Sequence, residues 1–166
     1  RPAIVLEDYE PDNLFLGKGA GQTFNISGLG VANTAIGPEA LYSLIGTLNA
    51  EASSNTAIGY KAMRSVQYAV TNTAIGTVAM GDMGIGSSGS PIQANVAVGH
   101  HALRQIGGSF NVAMGQSASE NNLAASYTVA IGQMALQANT VADNVAIGAF
   151  DKRKNTTALK NVFIGK

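Results

Sequence analysis

The chain has 166 residues, and its ten Lys and Arg balance ten Asp and Glu, so the formal net charge is zero. This neutrality argues against nucleic acid as a partner, because binding a phosphate backbone needs a basic field. Cysteine is absent, which excludes disulfides and thiolate metal sites. Alanine dominates the 46% hydrophobic fraction and Trp is absent, so large side chains provide little area for a compact core. Stability is expected from stacked backbone ladders and from burial between identical subunits.

The first twelve residues differ in composition from the rest of the chain. Four acidic side chains lie in this stretch, at Glu7, Asp8, Glu10 and Asp12. Such a charge run is usually a solvated segment, so we predict an N-terminal connector over residues 1–12 and a β-roll repeat domain over residues 13–166. The opening residues contain neither Met nor a signal-peptide pattern, which favours a fragment of a longer protein. No apolar run approaches about 18 residues, so we expect no membrane insertion.

A five-residue motif recurs nine times from residue 13 onward. Asn-Thr-Ala-Ile-Gly is found unchanged at 33–37, 55–59 and 72–76, and variants begin at 13, 95, 111, 128, 144 and 161. Successive motif glycines lie 16 to 23 residues apart. Self-similarity at this period is typical of a solenoid. The motif glycines are Gly17, Gly37, Gly59, Gly76, Gly99, Gly115, Gly132, Gly148 and Gly165.

Each repeat predicts two short strands joined by a corner. Thr or Val and Ile alternate with Ala, which places branched side chains on one strand face and a methyl group on the other. The glycine permits a positive φ at the corner. The pattern Gly-x-x-Ala-Leu follows, as at 99–103 and 132–136, and predicts that the Ala-Leu pair begins the return strand. Stretches such as 40–45 also tolerate a helical period, but Gly, Asn or Ser interrupts each one too early for an ordinary helix. The sequence therefore predicts an all-β parallel β-solenoid.

An asparagine heads most copies of the motif, and it has two interpretations. Asparagine suits a turn that simply starts a strand, whereas stacked asparagines in successive coils could form an amide hydrogen-bond ladder. The sequence leaves both open. The asparagines concerned, which with the motif glycines form the predicted structural repeat positions, are Asn33, Asn55, Asn72, Asn95, Asn111, Asn144 and Asn161.

The repeat resembles that of a known family of fibres. Residues 33–41, 55–63 and 95–103 are similar to the Asn-Thr-Ala-Ile-Gly-x-x-Ala-Leu repeats in the shafts of bacteriophage tail fibres and tailspikes. The pattern also resembles the left-handed β-roll heads of trimeric autotransporter adhesins. Inserts at 43–54, 64–71 and 81–94 break the even spacing of such heads, which favours the phage type.

The resemblance implies a left-handed parallel β-roll in a fibre that is a parallel homotrimer. The alanine face suits packing within a coil and the Thr/Ile face suits a shared subunit interface, although the pattern allows either assignment. The function implied is a structural and receptor-binding segment of a virion tail fibre, which attaches to a glycan or protein on a bacterial surface. The first alternative is a bacterial adhesin head on the cell surface, and the second is a fragment of a polysaccharide depolymerase tailspike.

Residues for catalysis are sparse. A glycosidase needs two carboxylates at a defined separation, and beyond the connector the acids are scattered singly. We therefore expect no enzyme activity and no cofactor. His100 and His101 could supply six imidazoles in a trimer, but as corner residues they should face solvent, so no metal is predicted. Residues 84–89 match a dinucleotide fingerprint without its strand-helix context, which favours an insert loop over about 81–94.

Recognition residues are expected where the fold leaves side chains free, at the corners and inserts. The two variable residues after each motif glycine should stack into a stripe along one edge. Aromatic and amide side chains there suit sugar recognition, although they also suit any exposed turn. The surface-binding candidates are Tyr60, Lys61, His100, His101, Gln116, Gln133 and Phe150.

Overall fold

The computed structural model describes residues 12–22, 25–26, 30–46, 52–82, 91–157 and 159–165. These segments contain seventeen short parallel strands joined by turns, and they contain no helix. The predicted connector lies outside the described residues except for Asp12. The all-β prediction is confirmed.

The strands alternate between a three-residue and a two-residue type along the chain. The three-residue strands are β1 (Leu14–Leu16), β3 (Thr34–Ile36), β5 (Thr56–Ile58), β7 (Thr73–Ile75), β9 (Val96–Val98), β11 (Val112–Met114), β13 (Val129–Ile131), β15 (Val145–Ile147) and β17 (Val162–Ile164). The two-residue strands are β2 (Asn25–Ile26), β4 (Ile45–Gly46), β6 (Ala69–Val70), β8 (Ile92–Gln93), β10 (Gln105–Ile106), β12 (Asn121–Asn122), β14 (Ala138–Asn139) and β16 (Lys154–Asn155).

The motif strands form one nine-stranded parallel sheet whose order is the chain order. Equivalent motif residues are paired in register, so that Thr56 lies beside Thr34 on one side and Thr73 on the other. On the opposite side of the coil, two-residue strands from neighbouring coils pair with each other, as β10 does with β12. Each coil thus places one motif strand on the preceding one, and the predicted β-solenoid is confirmed.

The structure assigns the two faces of the motif strand. The central alanine of β3, β5, β7, β9, β11, β13 and β15 is fully buried inside the coil. Its neighbours on either side point outward, and none of them is buried. A methyl group fits this interior because it faces leucine and methionine side chains from the turns, such as Leu103 and Met80.

The prediction that Ala-Leu begins the return strand is wrong. Ala102 and Leu103 lie in a turn, and strand β10 begins two residues later at Gln105. Leu103 has a φ of 47°, in the left-handed region, so the chain turns a second time at this residue. Its side chain is nevertheless fully buried. The apolar pair therefore serves the core from a turn.

The inserts that lengthen some repeats are partly built into the coil. Within the insert 64–71, Val66 and Ala69 are buried and residues 69–70 form β6. Leu44 and Ile92 are likewise buried in the inserts 43–54 and 81–94. The fingerprint-like residues 84–89 and the centre of the first insert lie outside the described residues. The described insert residues thus add buried side chains and a short strand outside the motif sheet.

The motif glycine is required by close stacking. Gly59 has a φ of 131°, and a Cβ built on it would lie 2.6 Å from the carbonyl oxygen of Gly76 in the next coil. Real Cβ atoms do not approach oxygen so closely, so any side chain here would push two coils apart. The recurrence of glycine follows from this contact.

The asparagines form the amide ladder that the sequence left open. The Oδ1 atom of Asn55 accepts hydrogen bonds from the backbone N–H and the Nδ2 of Asn72, both at 3.1 Å. The Nδ2 of Asn55 donates to the carbonyl of Ala69 at 2.7 Å. The same bonds link Asn13, Asn33, Asn55, Asn72, Asn95 and Asn111 in successive coils. Because these side chains are buried, the ladder satisfies groups that would otherwise be costly inside the coil.

Candidate functional site

The outward side of the nine-stranded sheet is a continuous apolar surface, which we call the outer face. It contains two side chains from each motif strand, and among these eighteen there is no charge and only three are Thr. Its residues are Leu14, Leu16, Thr34, Ile36, Thr56, Ile58, Thr73, Ile75, Val96, Val98, Val112, Met114, Val129, Ile131, Val145, Ile147, Val162 and Ile164. On the solvent-exposed face of a sheet in a soluble monomer, most of these positions would normally be polar.

The size and shape of the outer face suit a partner surface. Nine strands at about 4.8 Å spacing make it roughly 38 Å long, and two outward side chains make it roughly 10 Å wide. The resulting area, on the order of 400 Å², equals that of the largest apolar patch on a typical monomer, and such patches are often functional. Ile75 near its middle is 39% exposed and Ile164 at its end is 76% exposed. The face is a narrow strip without charges, along which equivalent residues are paired in register.

The corner residues stack as predicted, in two adjacent columns. The backbone N–H of His101 donates to the carbonyl of Thr77 at 3.1 Å, and that of Ser117 donates to His100 at 2.9 Å. The first column contains Tyr60, His100, Gln116 and Gln133, all exposed, and the second contains Lys61, His101 and the exposed Phe150. The Nε2 of Gln133 donates to the Oε1 of Gln116 at 3.1 Å, which links successive coils. The structure therefore brings the candidates into one stripe, while Lys61 and His101 are only half-exposed.

An ion cluster lies beside this stripe, around Glu120. Its Oε1 is 3.5 Å from both the Nδ1 of His101 and an Nη1 of Arg104, and its Oε2 accepts a 3.0 Å hydrogen bond from Gln137. Arg104 also contacts the Asp82 carboxylate at 2.6 Å. Sequence reasoning missed this cluster because its members come from four coils whose register depends on insert lengths.

The surroundings shift the pKa values of His101 and Glu120 downward. Burial lowers the pKa of His101, and the nearby His100 and Arg104 add to the effect against the opposing pull of Glu120 and Asp82. Burial alone would raise the pKa of Glu120, but hydrogen bonds from Gln137 and Ser117, with the charges of His101 and Arg104, outweigh it. The cluster therefore favours a neutral imidazole beside an ionised carboxylate.

A pair of exposed aromatic rings lies at the other end of the motif strands. Phe110 and Tyr127 each precede a motif, and their rings stack with centroids 5.0 Å apart and planes 5° from parallel. The sequence prediction missed this pair, although writing out the residue that precedes each motif would have shown two consecutive aromatics. A separate shallow cleft of about 250 Å³ near the first corners is lined by Lys18, Gly19, Gln22, Pro38, Glu39, Tyr42 and Arg64.

The described segments hold no group of three or more His, Cys, Asp or Glu side chains placed to bind a metal ion. His100 and His101 stack on each other with ring centroids 3.8 Å apart. Within those same segments, no helix has the length and apolar character to cross a membrane.

No protein-family model matches the chain, and no curated protein or solved structure shows significant similarity to it. The fold and the surfaces described above are therefore the basis for the functional proposal.

Proposed function

We propose that the chain is a structural and receptor-binding segment of a trimeric tail fibre or tailspike of a bacteriophage, which attaches the virion to a bacterial surface glycan without catalysis. The resemblance of the repeat to tail-fibre shafts motivates the biological setting. The observation that carries the proposal is the outer face, an uncharged and mostly apolar strip on a chain whose own core is already filled mainly by alanine, leucine and asparagine.

The outer face supports burial between three copies of the chain. It is only two side chains wide, so three such faces can meet around one axis with their Ile and Val side chains filling the centre. All nine strands run parallel and in register, so parallel copies would place identical levels side by side along the fibre. An uncharged interior of this kind is typical of obligate interfaces, which resemble a domain core cut into parts.

The parts of the coil that such a trimer would leave free support a receptor-binding role. The corner stripe and the aromatic pair both lie at the ends of the motif strands, away from the centre of the outer face. Exposed aromatic and amide side chains such as Tyr60, Gln116 and Gln133 provide stacking surfaces and hydrogen bonds suited to sugars.

The assembly is tested by multi-angle light scattering on the purified chain. We expect three times the 16.9 kDa mass of one chain. Ile75→Lys should give monomers, because a lysine in the middle of the outer face would bring three charges together around the axis. Thr77→Lys is the matched control, since Thr77 is an exposed corner residue two positions away, and it should stay trimeric. A folded wild-type chain of 16.9 kDa would contradict the proposal.

A further inference from the structure

The residues that directly precede the motifs form a column along one edge of the solenoid. In six coils the backbone N–H of this residue donates to the preceding coil, as Tyr127 does to Ser109 at 3.1 Å and Phe110 does to Gln93 at 3.0 Å. We call these six residues the pre-motif column, and its members are Ser54, Thr71, Ala94, Phe110, Tyr127 and Asp143. All six have a φ between 53° and 61°, as have Asp12, Ala32 and Lys160 before the other three motifs.

Folding does not explain aromatic residues in this column. The left-handed region costs a bulky side chain free energy that Asp or Ser tolerates better, and the other members are small or polar. Burial compensates for this cost only in part, because Phe110 is 42% and Tyr127 59% exposed. The left-handed φ itself belongs to every repeat, since Ala32 and Lys160 share it. What distinguishes Phe110 and Tyr127 is that two consecutive coils place large rings in solvent.

One ring face of the pair is open. Tyr127 covers one face of Phe110, while the next residue in the opposite direction is Ala94, whose side chain is a single methyl group. Coils are about 4.8 Å apart, so this level of the column has room for one flat ring between Phe110 and Thr71. The exposed Gln93 and Thr71 place an amide and a hydroxyl beside the open level. At the other end, the exposed Asp143 follows Tyr127 in the column.

We infer that this part of the pre-motif column is a sugar-binding site, in which one pyranose ring stacks on the free face of Phe110 above Ala94. The C–H face of the sugar would contact the aromatic ring, and its hydroxyl groups would bond to Gln93 and Thr71. The inference deepens the proposed receptor-binding role and rests on it. It differs from the corner stripe, which lies at the opposite end of the motif strands.

The test uses the whole chain and saturation-transfer NMR with methyl glycosides of glucose, galactose, N-acetylglucosamine and rhamnose. We expect at least one glycoside to bind, with the strongest transfer to protons on one ring face. Phe110→Ala should weaken that binding about ten-fold, which is the loss of one stacking contact. Leu123→Ala removes instead an exposed apolar side chain that belongs to neither the column nor the corner stripe, and it should leave binding unchanged.

A second variant separates loss of the ring from loss of the fold. Ala94→Phe would continue the aromatic stack into the open level, in a column whose backbone already holds two rings. It should block binding about as strongly as Phe110→Ala while leaving the thermal midpoint close to that of the wild type. Binding retained in either variant, or no binding of any of the four glycosides, would overturn the inference.

Light scattering on the same samples distinguishes this failure from failure of the trimer. A trimeric wild type that binds no glycoside would refute the sugar site and leave the assembly standing. A monomeric wild type whose glycoside binding depends on Phe110 would refute the assembly and retain the site. If Phe110→Ala and Ala94→Phe both dissociate the trimer, the rings belong to a subunit contact, which also overturns the inference.

Discussion

At the scale of single residues, the amide ladder has one break, at Thr128. Its backbone N–H donates to the Oδ1 of Asn111 at 3.0 Å, as the backbone N–H of an asparagine does in other coils. Threonine has no side-chain amide oxygen that could accept from Asn144, however. The Nδ2 of Asn144 in the next coil therefore donates to the Val141 and Ala142 carbonyls of its own coil. The ladder resumes between Asn144 and Asn161. One substitution thus divides a ladder that would otherwise join all nine motifs.

Thr128→Asn should stabilise the protein by joining the two parts of the ladder. An Oδ1 at residue 128 could accept from the backbone N–H and the Nδ2 of Asn144, as in the other coils. The substitution would remove one long hydrogen bond, which the Nδ2 of Asn139 donates to the Thr128 hydroxyl at 3.4 Å. The expected gain is about 1 kcal/mol, or about 3 °C in the thermal midpoint measured by circular dichroism. Thr128→Ser keeps a hydroxyl without an amide and should give no gain, and an equal gain in both variants would contradict the ladder explanation.

Residue patterns predicted the repeat positions better than the exposed residues. The motif asparagines and glycines could be anticipated because each has a contact repeated in every coil, with the amide of the next asparagine or the carbonyl of the next glycine. Phe110 and Tyr127 have no such repetition, since the other coils place Ala, Ser, Thr, Asp or Lys at that position. Their meaning depends on register between coils, which the sequence shows only once the motifs are aligned and the strand pairing is known.

At the scale of elements, the second half of the coil was the harder part to predict. An Ala-Leu pair reads as the start of a buried strand, but in the coil the leucine adopts a left-handed φ and turns the chain again. Backbone neighbours fix this conformation, because the N–H of Leu103 donates to Ala118 in the next coil. Local propensity cannot anticipate a conformation that is set by the adjacent coil. The two-residue return strands are also too short to leave an alternating pattern.

The ion cluster between coils predicts that acid destabilises the fold. Both His101 and Glu120 have a pKa below its usual value in the folded chain, so the unfolded chain binds protons more readily than the folded chain. Stability should therefore fall as the pH drops below about 6.5, the ordinary pKa of His101, and again below about 4.5, that of Glu120. The measurement is the thermal midpoint from pH 8.5 to 3.5 at one protein concentration.

His101→Gln isolates the first step of this pH dependence. Glutamine keeps a polar side chain beside Glu120 but cannot take up a proton, so the midpoint of the variant should stay nearly constant between pH 7.5 and 5.5. Both proteins should be insensitive to pH between 7.5 and 8.5, where neither group titrates. A wild-type midpoint that rises on acidification would contradict the direction assigned to the His101 pKa.

At the scale of the whole molecule, the coil has a filled interior and a strip of exposed apolar side chains on its exterior. Each coil contacts only its neighbours, and alanine, leucine, methionine and asparagine fill most of its core. Among the described residues, Phe15 is the one buried aromatic side chain of that core. The apolar area missing from this core is found on the outer face instead. Composition alone predicted burial between subunits, which stays a prediction, while the assignment of the Thr/Ile side to the exterior required the structure.

The proposed trimer makes the stability of the fold depend on protein concentration. If three chains fold and associate together, a hundred-fold increase in concentration stabilises each chain by about 1.8 kcal/mol through mass action. The thermal midpoint should then rise by about 5 °C between 1 and 100 µM, because 1 kcal/mol corresponds to a shift of about 2–4 °C at this chain length. Ile75→Lys should abolish the rise and Thr77→Lys should keep it. A wild-type midpoint that is independent of concentration would mean that the outer face contributes nothing to the stability of the fold.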